Sequence, residues 1–355
     1  PGSDTIKELF DNQPVLILLD ELSIYLRKIK GRKEQDQLTP FLTGLFKAVS
    51  STKNACVVFT LAIGKEGKAS DAYSQENEFV AEKLDEATKV AGRVATLLNP
   101  TTEQETVRVL RRRLFDYIDD SAAEEIVRHY EQLWISHRSD LPTERVNDDR
   151  VADFRNGFPF HPALMDLFTD KLSTLSTFQR VRGMLRLLTK TIAHLWEEQP
   201  ANTYAIHLHH FNPGHTPIRD EITTRLELSR FDPVIENDVS SQGNNSLAQQ
   251  LDEKNYAGLA PYGSFVARNI LWNTFAFNDN LQGIDEVNLR YAILSSDSDI
   301  GFINDARQRF IADSAYLDDR PAAPLRFLTE VNLTVLIRRQ TKQVDTSEAR
   351  SQLQD

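Results

Sequence analysis

The sequence has a single cysteine, Cys56, in 355 residues. One thiol excludes an intramolecular disulfide and any cysteine-based zinc site within one chain. Long apolar runs are also missing. The longest uninterrupted aliphatic run, Val15 to Leu19, is far short of the roughly 18 residues of a membrane span. The opening PGSDTIKELF has neither a basic region nor an apolar signal core, so the chain reads as cytoplasmic with no membrane partner. Positive charge is in deficit. A net charge of −11 weighs against a sequence-blind nucleic-acid coat and leaves only a locally basic face open. No phosphate-binding G-x-x-x-x-G-K-[ST] loop occurs either. The two Gly-Lys pairs of GKEGKASDAYSQENE (64–78) lead into Glu and Ala, and this stretch reads as a polar surface loop.

What is present starts with PVLILLDEL, residues 14–22. Five aliphatic residues run directly into Asp20 and Glu21, and Asn12, Gln13 and Pro14 precede them. A short apolar run bounded by turn residues suits a strand buried on both faces of a parallel sheet. The two carboxylates then fall at the strand's exit, where open α/β sheets bind ligands. Paired acids at that edge suit nucleotide chemistry. One carboxylate holds Mg2+ through water, and its neighbour polarises the water that attacks the γ-phosphate. The same residues also suit a simpler role, Asp20 capping the next helix with Glu21 in its first turn.

A second buried-strand pattern, ACVVFTLA (55–62), is reached through TPFLTGLFKAVS, whose Phe41, Leu42, Leu45, Phe46 and Val49 share one helical face. Strand, helix and strand predict a parallel βαβ unit. Thr60 sits near the exit of that second strand, beside Asp20 and Glu21 if the strands are neighbours. It can hydrogen-bond a γ-phosphate or the attacking water, or be a half-buried threonine suited to a strand. Further on, residues 79–118 predict a helix, an extended segment and a helix opening with a Thr102–Glu105 capping box. A second box, Ser121–Glu124, predicts the start of the next helix, and the pattern stays helical to about 200.

The order ILLDEL, VVFTLA, GRVATLLNPTTEQE, RRRLF, FPFHPALMDLF and STFQRVRGMLRLLTKTIAHLW resembles the prokaryotic predicted ATPases grouped as domain of unknown function 499. The resemblance covers most of residues 1–240 and is thinner beyond. It implies an AAA+-like P-loop ATPase from phage-defence or DNA-modification settings, with ATP and Mg2+ as cofactors. By similarity Asp20 is the magnesium-associated acid, Glu21 the water-activating base and Thr60 the sensor at the end of the second strand. Arg93, in AGRVATLL, stands where such proteins carry an arginine finger reaching a neighbour's γ-phosphate, and it also suits a surface salt bridge. Arg186 resembles the arginine of the second sensor, with Arg182 one helical turn away. Both also suit an exposed helix face. The family's P-loop precedes the segment matching residue 1, so this chain alone is expected to be inactive and to bind ATP poorly.

Two other clusters point less clearly to chemistry. Arg111, Arg112 and Arg113 fan out around a helix and suit a solvated face. His207, His209, His210 and His215 lack a carboxylate or cysteine at a recognised ligand spacing, and a strand-borne His207/His209 pair alone is a weak metal site. Residues 234–255 are polar and mark a boundary. Three helices follow, around FVARNILWNTFAF, IDEVNLRYAIL and FINDARQRFIADS, then two short strands around a Pro-rich turn. That order predicts a winged-helix-like domain. Its third helix has only Arg307 and Arg309, beside Asp305 and Asp313, which favours an interaction role over DNA binding.

The fold class is thus α/β followed by mostly α, with a partial P-loop parallel-sheet core. The expected division is an ATPase-core part at 1–100, a helical lid at 101–200, a connecting segment at 201–255, a winged-helix-like domain at 256–340 and a tail at 341–355. The function expected is ATP hydrolysis coupled to remodelling or switching of a nucleic-acid-associated complex, in a homo-oligomer or larger assembly. The alternative is a non-catalytic regulatory or scaffold module with an incomplete nucleotide site.

Overall fold

The computed structural model describes residues 2–11, 13–20, 22–29, 33–60, 103–175, 177–178, 180–276, 280, 282–318, 320, 323–335 and 337; the side chains of 23, 24, 26, 27, 35, 36, 39, 103, 104 and 180 lie outside that description. The chain forms two units, Pro1–Pro100 and Thr101–Asp355.

The first unit is built on a parallel strand pair. β1 (Val15–Leu19) pairs in register with β2 (Ala55–Phe59), Val15 opposite Ala55 and Leu19 opposite Phe59. The crossover runs through α2 (Leu22–Ile29) and α3 (Lys33–Ser51), and α1 (Ser3–Phe10) precedes the first strand. Strand side chains alternate between faces. Val15, Ile17, Leu19, Ala55, Val57 and Phe59 therefore pack on the apolar sides of α1 and α3, where Ile6, Phe10, Leu42, Leu45, Phe46 and Val49 are buried. The opposite face carries Leu16, Leu18, Cys56 and Val58, all exposed. An unbroken apolar run predicts cover on both faces, but among the described residues only one face is covered. The helices seen here all join or precede the two strands. The described sheet has two strands, and no larger P-loop core is seen among the described residues.

The second unit is helical. Its elements include α4 (Glu103–Leu114), α5 (Asp120–Ser136), α6 (Asp148–Gly157), α7 (Pro162–Asp166), α8 (Arg180–Glu198), α9 (Thr216–Asp220), α10 (Leu247–Asn255), α11 (Tyr262–Thr274), α12 (Glu286–Ile293) and α13 (Ile300–Asp313). One apolar core runs from Leu110 to Phe327, so the expected lid, connecting segment and C-terminal region share it. A second cluster gathers Tyr130, Trp134, Phe154 and Tyr291.

Local chemistry corrects one helix boundary. α5 is capped by Asp119, whose Oδ1 accepts from the backbone N–H groups of Ser121 and Ala122 at 2.9 and 3.0 Å. The helix thus starts before the Ser121–Glu124 box, because an aspartate able to satisfy two free N–H groups comes first. Residues 234–255, polar in composition, contribute side chains to the core. Val234, Ile235 and Val239 are buried, and a Ser246–Gln249 capping box opens α10.

α11 is buried almost all round, as a helix at the centre of a large core must be. Its polar side chains bond back to their own helix: Asn269 Nδ2 and Asn273 Nδ2 each donate to the carbonyl four residues earlier at 2.9 Å, and Thr274 Oγ1 does so at 2.8 Å. Asp252 of α10 accepts from the N–H groups of Gly263 and Ser264 at 2.6 and 3.0 Å, satisfying the start of α11. The three C-terminal helices α11, α12 and α13 form as expected. Among the described residues the expected hairpin does not form two strands. Single antiparallel bridges join Leu317 to Phe327 and Ile284 to Leu325, and Pro324, which lacks an N–H, limits any longer ladder beside Leu325.

α10 and α11 approach so closely that a Cβ on Gly263 would lie 2.7 Å from the Ala248 carbonyl oxygen. Gly263→Ala should therefore destabilise the second unit by about 1–3 kcal/mol through overpacking, read as a lower midpoint in chemical denaturation. An unchanged midpoint would mean that the helices separate freely.

Candidate functional site

Pairing in register sets the geometry at the carboxyl edge of the strands. Thr60 N–H donates to the Leu19 carbonyl at 3.0 Å, and Leu22 N–H donates to the Thr60 carbonyl at 3.1 Å, so the ladder continues one residue past each strand. Asp20 and Thr60 thereby become level. The Thr60 hydroxyl donates to Asp20 Oδ1 at 2.6 Å, a short charge-assisted bond. Both residues are exposed. Among the described residues Asp20 Oδ2 has no partner. An exposed carboxylate with one oxygen engaged and the other open fits a water-mediated Mg2+ contact. Glu21 and Arg93 lie outside the described residues.

Arg182 and Arg186 belong to the second unit, on α8. Arg182 is exposed. Arg186 Nε donates to Glu221 Oε2 at 3.1 Å, and Lys190 Nζ to Glu221 Oε1 at 2.6 Å. Burial acts to raise the Glu221 carboxyl, but the bonds from Lys190 and Arg186 outweigh it and hold the group below its ordinary value. The sequence does not reveal this buried acid, since Glu221 lies 35 positions from Arg186 and at no motif spacing. Of the Arg111–Arg113 run, Arg112 and Arg113 are exposed, while Arg111 donates to the Asn156 carbonyl at 3.0 Å.

Residues 1–95 match the DUF499 N-terminal domain, and residues 101–289 match the DUF499 second domain. The chain belongs to the DUF499 family. Nothing matches it among curated proteins or among solved structures.

The DUF499 second domain also buries His207 and His209, with His210 and His215 half-buried. His209 and His210 lie on a 3-10 turn, Leu208–His210, with His207 just before it, instead of on a strand, and His215 precedes α9. His161, His207 and His209 stack in series, with ring centroids 4.3 and 5.0 Å apart. His207 Nδ1 contacts the Ala292 carbonyl at 2.9 Å, and a carbonyl only accepts, so Nδ1 carries the proton. His207 Nε2 then accepts from the Tyr130 hydroxyl at 2.8 Å. His210 Nδ1 accepts from His207 N–H at 2.9 Å. Among the described residues no three His, Cys, Asp or Glu side chains are placed to hold a metal ion. Burial lowers the imidazoles of His161, His207, His209 and His210, His207 to about 4, and the Arg145 and Arg150 guanidiniums add to the effect at His161. Lys171, which no sequence pattern singles out, is also pushed down by burial, to about 8. Its ammonium donates to Asn273 Oδ1 and the Gly283 carbonyl at 2.7 and 2.6 Å, tying the residues after α7 to the C-terminal helices.

Buried imidazoles held neutral make stability depend on pH. Above pH 6.5 folded and unfolded chains are both neutral at these sites. As pH falls from 6.5 towards 4, the unfolded chain takes up protons that the folded chain refuses, so stability falls. Each such imidazole contributes about 1.4 kcal/mol per pH unit in this window. Glutamine can both donate and accept in place of His207, so His207→Gln should reduce the slope by about that amount, measured by urea denaturation at a series of pH values. An unchanged slope would place His207's titration outside this window.

Proposed function

We propose that this DUF499 chain is the carboxylate-bearing part of an ATP-binding and ATP-hydrolysing enzyme of the AAA+-like type. The observation that carries the reading is the 2.6 Å bond from Thr60 to Asp20 at the carboxyl edge of two parallel strands. That edge is where such sheets bind ligands, and a threonine fixed on an acid at that place can report on the phosphate. Asp20 holds Mg2+ through water. Glu21 accepts a proton from the attacking water, and Arg93 meets developing phosphate charge from a neighbouring subunit. Arg186 and Arg182 serve as the second sensor, Arg186 with its orientation fixed by Glu221. When bound, Mg2+ neutralises charge on the nucleotide's phosphates.

The C-terminal part supports a winged-helix-like reading. Helix α11, the Ile284 bridge residue, helices α12 and α13, then the Leu317 and Leu325–Phe327 bridge residues follow one another in the order of that fold. Arg307 pairs with Glu286 at 3.0 Å and Arg309 with Asp305 at 2.7 Å. With both cations neutralised, a protein partner in a cytoplasmic oligomer or larger complex suits this surface better than DNA. A second reading, a non-catalytic scaffold, is favoured by the bare face of Leu16, Leu18 and Val58, because uncovered apolar strands mark contact surfaces.

In the full-length protein, Glu21→Gln should abolish ATP hydrolysis with ATP affinity retained, because the isostere removes the base alone. Asp20→Ala should weaken Mg-ATP binding itself. Steady-state turnover and equilibrium binding of each variant decide the matter. Normal turnover by Glu21→Gln would sink the catalytic reading and leave the scaffold.

A further inference from the structure

Three aromatic rings in the second unit meet pairwise. Trp134 of α5, His161 at the start of α7 and Tyr291 of α12 have centroids 5.7, 5.3 and 5.0 Å apart. All three side chains are buried. Each presents one buried polar atom that has no hydrogen-bond partner: Trp134 Nε1, His161 Nε2 and Tyr291 Oη. Indole Nε1 is always a donor, and a phenol can donate. The histidine tautomer follows from its other nitrogen. His161 Nδ1 accepts from Ala163 N–H at 3.3 Å, so in the neutral ring the proton is on Nε2. Three donors on three adjacent rings therefore lack an acceptor.

Orphaned buried donors are rare because each loses its bond to water without replacement. Three together on touching rings call for a common guest, and buried waters characteristically make about three such bonds. The Arg145 guanidinium carbon lies 5.7 Å from the Tyr291 ring centroid. Arg145 and Arg150 both bond Asp166, and Arg150 also bonds Asp153. We propose that Trp134, His161 and Tyr291 enclose a binding site for one small hydrogen-bond acceptor, of the size of a water molecule or a halide ion. Filling it links α5, α7 and α12 through a single point.

The three tryptophans provide an internal test in the intact chain. Trp272 Nε1 donates to the Phe211 carbonyl at 2.9 Å, and Trp196 is exposed. With the site filled, the Trp134 indole N–H resonance should be shifted downfield like that of Trp272 and be protected from exchange. Tyr291→Phe removes one hydroxyl with almost no change of shape. It should lower the thermal midpoint by several degrees and move the Trp134 resonance. An empty site gives the opposite sign: deleting an unsatisfied hydroxyl raises the midpoint, and the Trp134 proton resonates upfield of Trp272. Either result overturns the proposal. If Tyr291→Phe does not fold, the wild-type indole shift alone decides. Replacing chloride by gluconate at constant ionic strength identifies the guest. A midpoint and indole shift that follow chloride mean a halide, and a downfield indole indifferent to chloride means water.

Discussion

The pairing of Val15–Leu19 with Ala55–Phe59 in parallel register is the constraint on which the candidate site depends. Alternation sends Val15, Ile17 and Leu19 onto the buried faces of α1 and α3. A slip of one residue would turn Leu16 and Leu18 onto those helices and bring the current core residues to the surface. Packing therefore fixes the register. Register in turn places Asp20 level with Thr60, within reach of the hydroxyl-to-carboxylate bond. The chemistry at the strand edge is thus a consequence of which aliphatic side chains fit under the sheet.

A different constraint governs the second unit, where many polar groups are buried and must be satisfied locally. Asp238 shows how this is done. Fully buried, it accepts from the Ser314 hydroxyl at 2.7 Å and from the N–H groups of Ala315 and Tyr316 at 3.0 and 3.2 Å, anchoring the turn after α13. Arg268 is a harder case. Its Nη1 donates to the His209 carbonyl at 3.1 Å, its Nε has no partner, and burial lowers it to about 10. It remains charged at neutral pH. A fixed cation beside His209 and His210 opposes any second positive charge, which is one reason these imidazoles stay neutral.

The sequence exposes the site's backbone better than its surroundings. Apolar runs ending in Asp20 and at Thr60, with a helical pattern between them, suffice to predict a parallel pair and the meeting of those two residues, because strand pairing and alternation are local rules. What covers a strand is not local, and so the bare face of Leu16 and Leu18 is invisible in the run itself. The Glu221 partner of Arg186 is hidden for the same reason. Polar composition misleads at 234–255, where buried residues every few positions and the Ser246–Gln249 cap outweigh the run of Ser, Asn and Gln. The histidines read as a weak metal pair on a strand, while the aromatic core around Tyr130 and Phe265 packs on His207 and His209.

The central claim, that Asp20 and Thr60 act as one unit in holding Mg-nucleotide, is most directly tested by a double-mutant cycle on Mg-ATP affinity in the full-length protein, using Asp20→Ala, Thr60→Val and the pair. Groups that share a hydrogen bond at a binding site couple, so the pair should lose less affinity than the two single losses combined, by about 1 kcal/mol or more. Strictly additive losses, or single variants that bind Mg-ATP as tightly as the wild type, would contradict it.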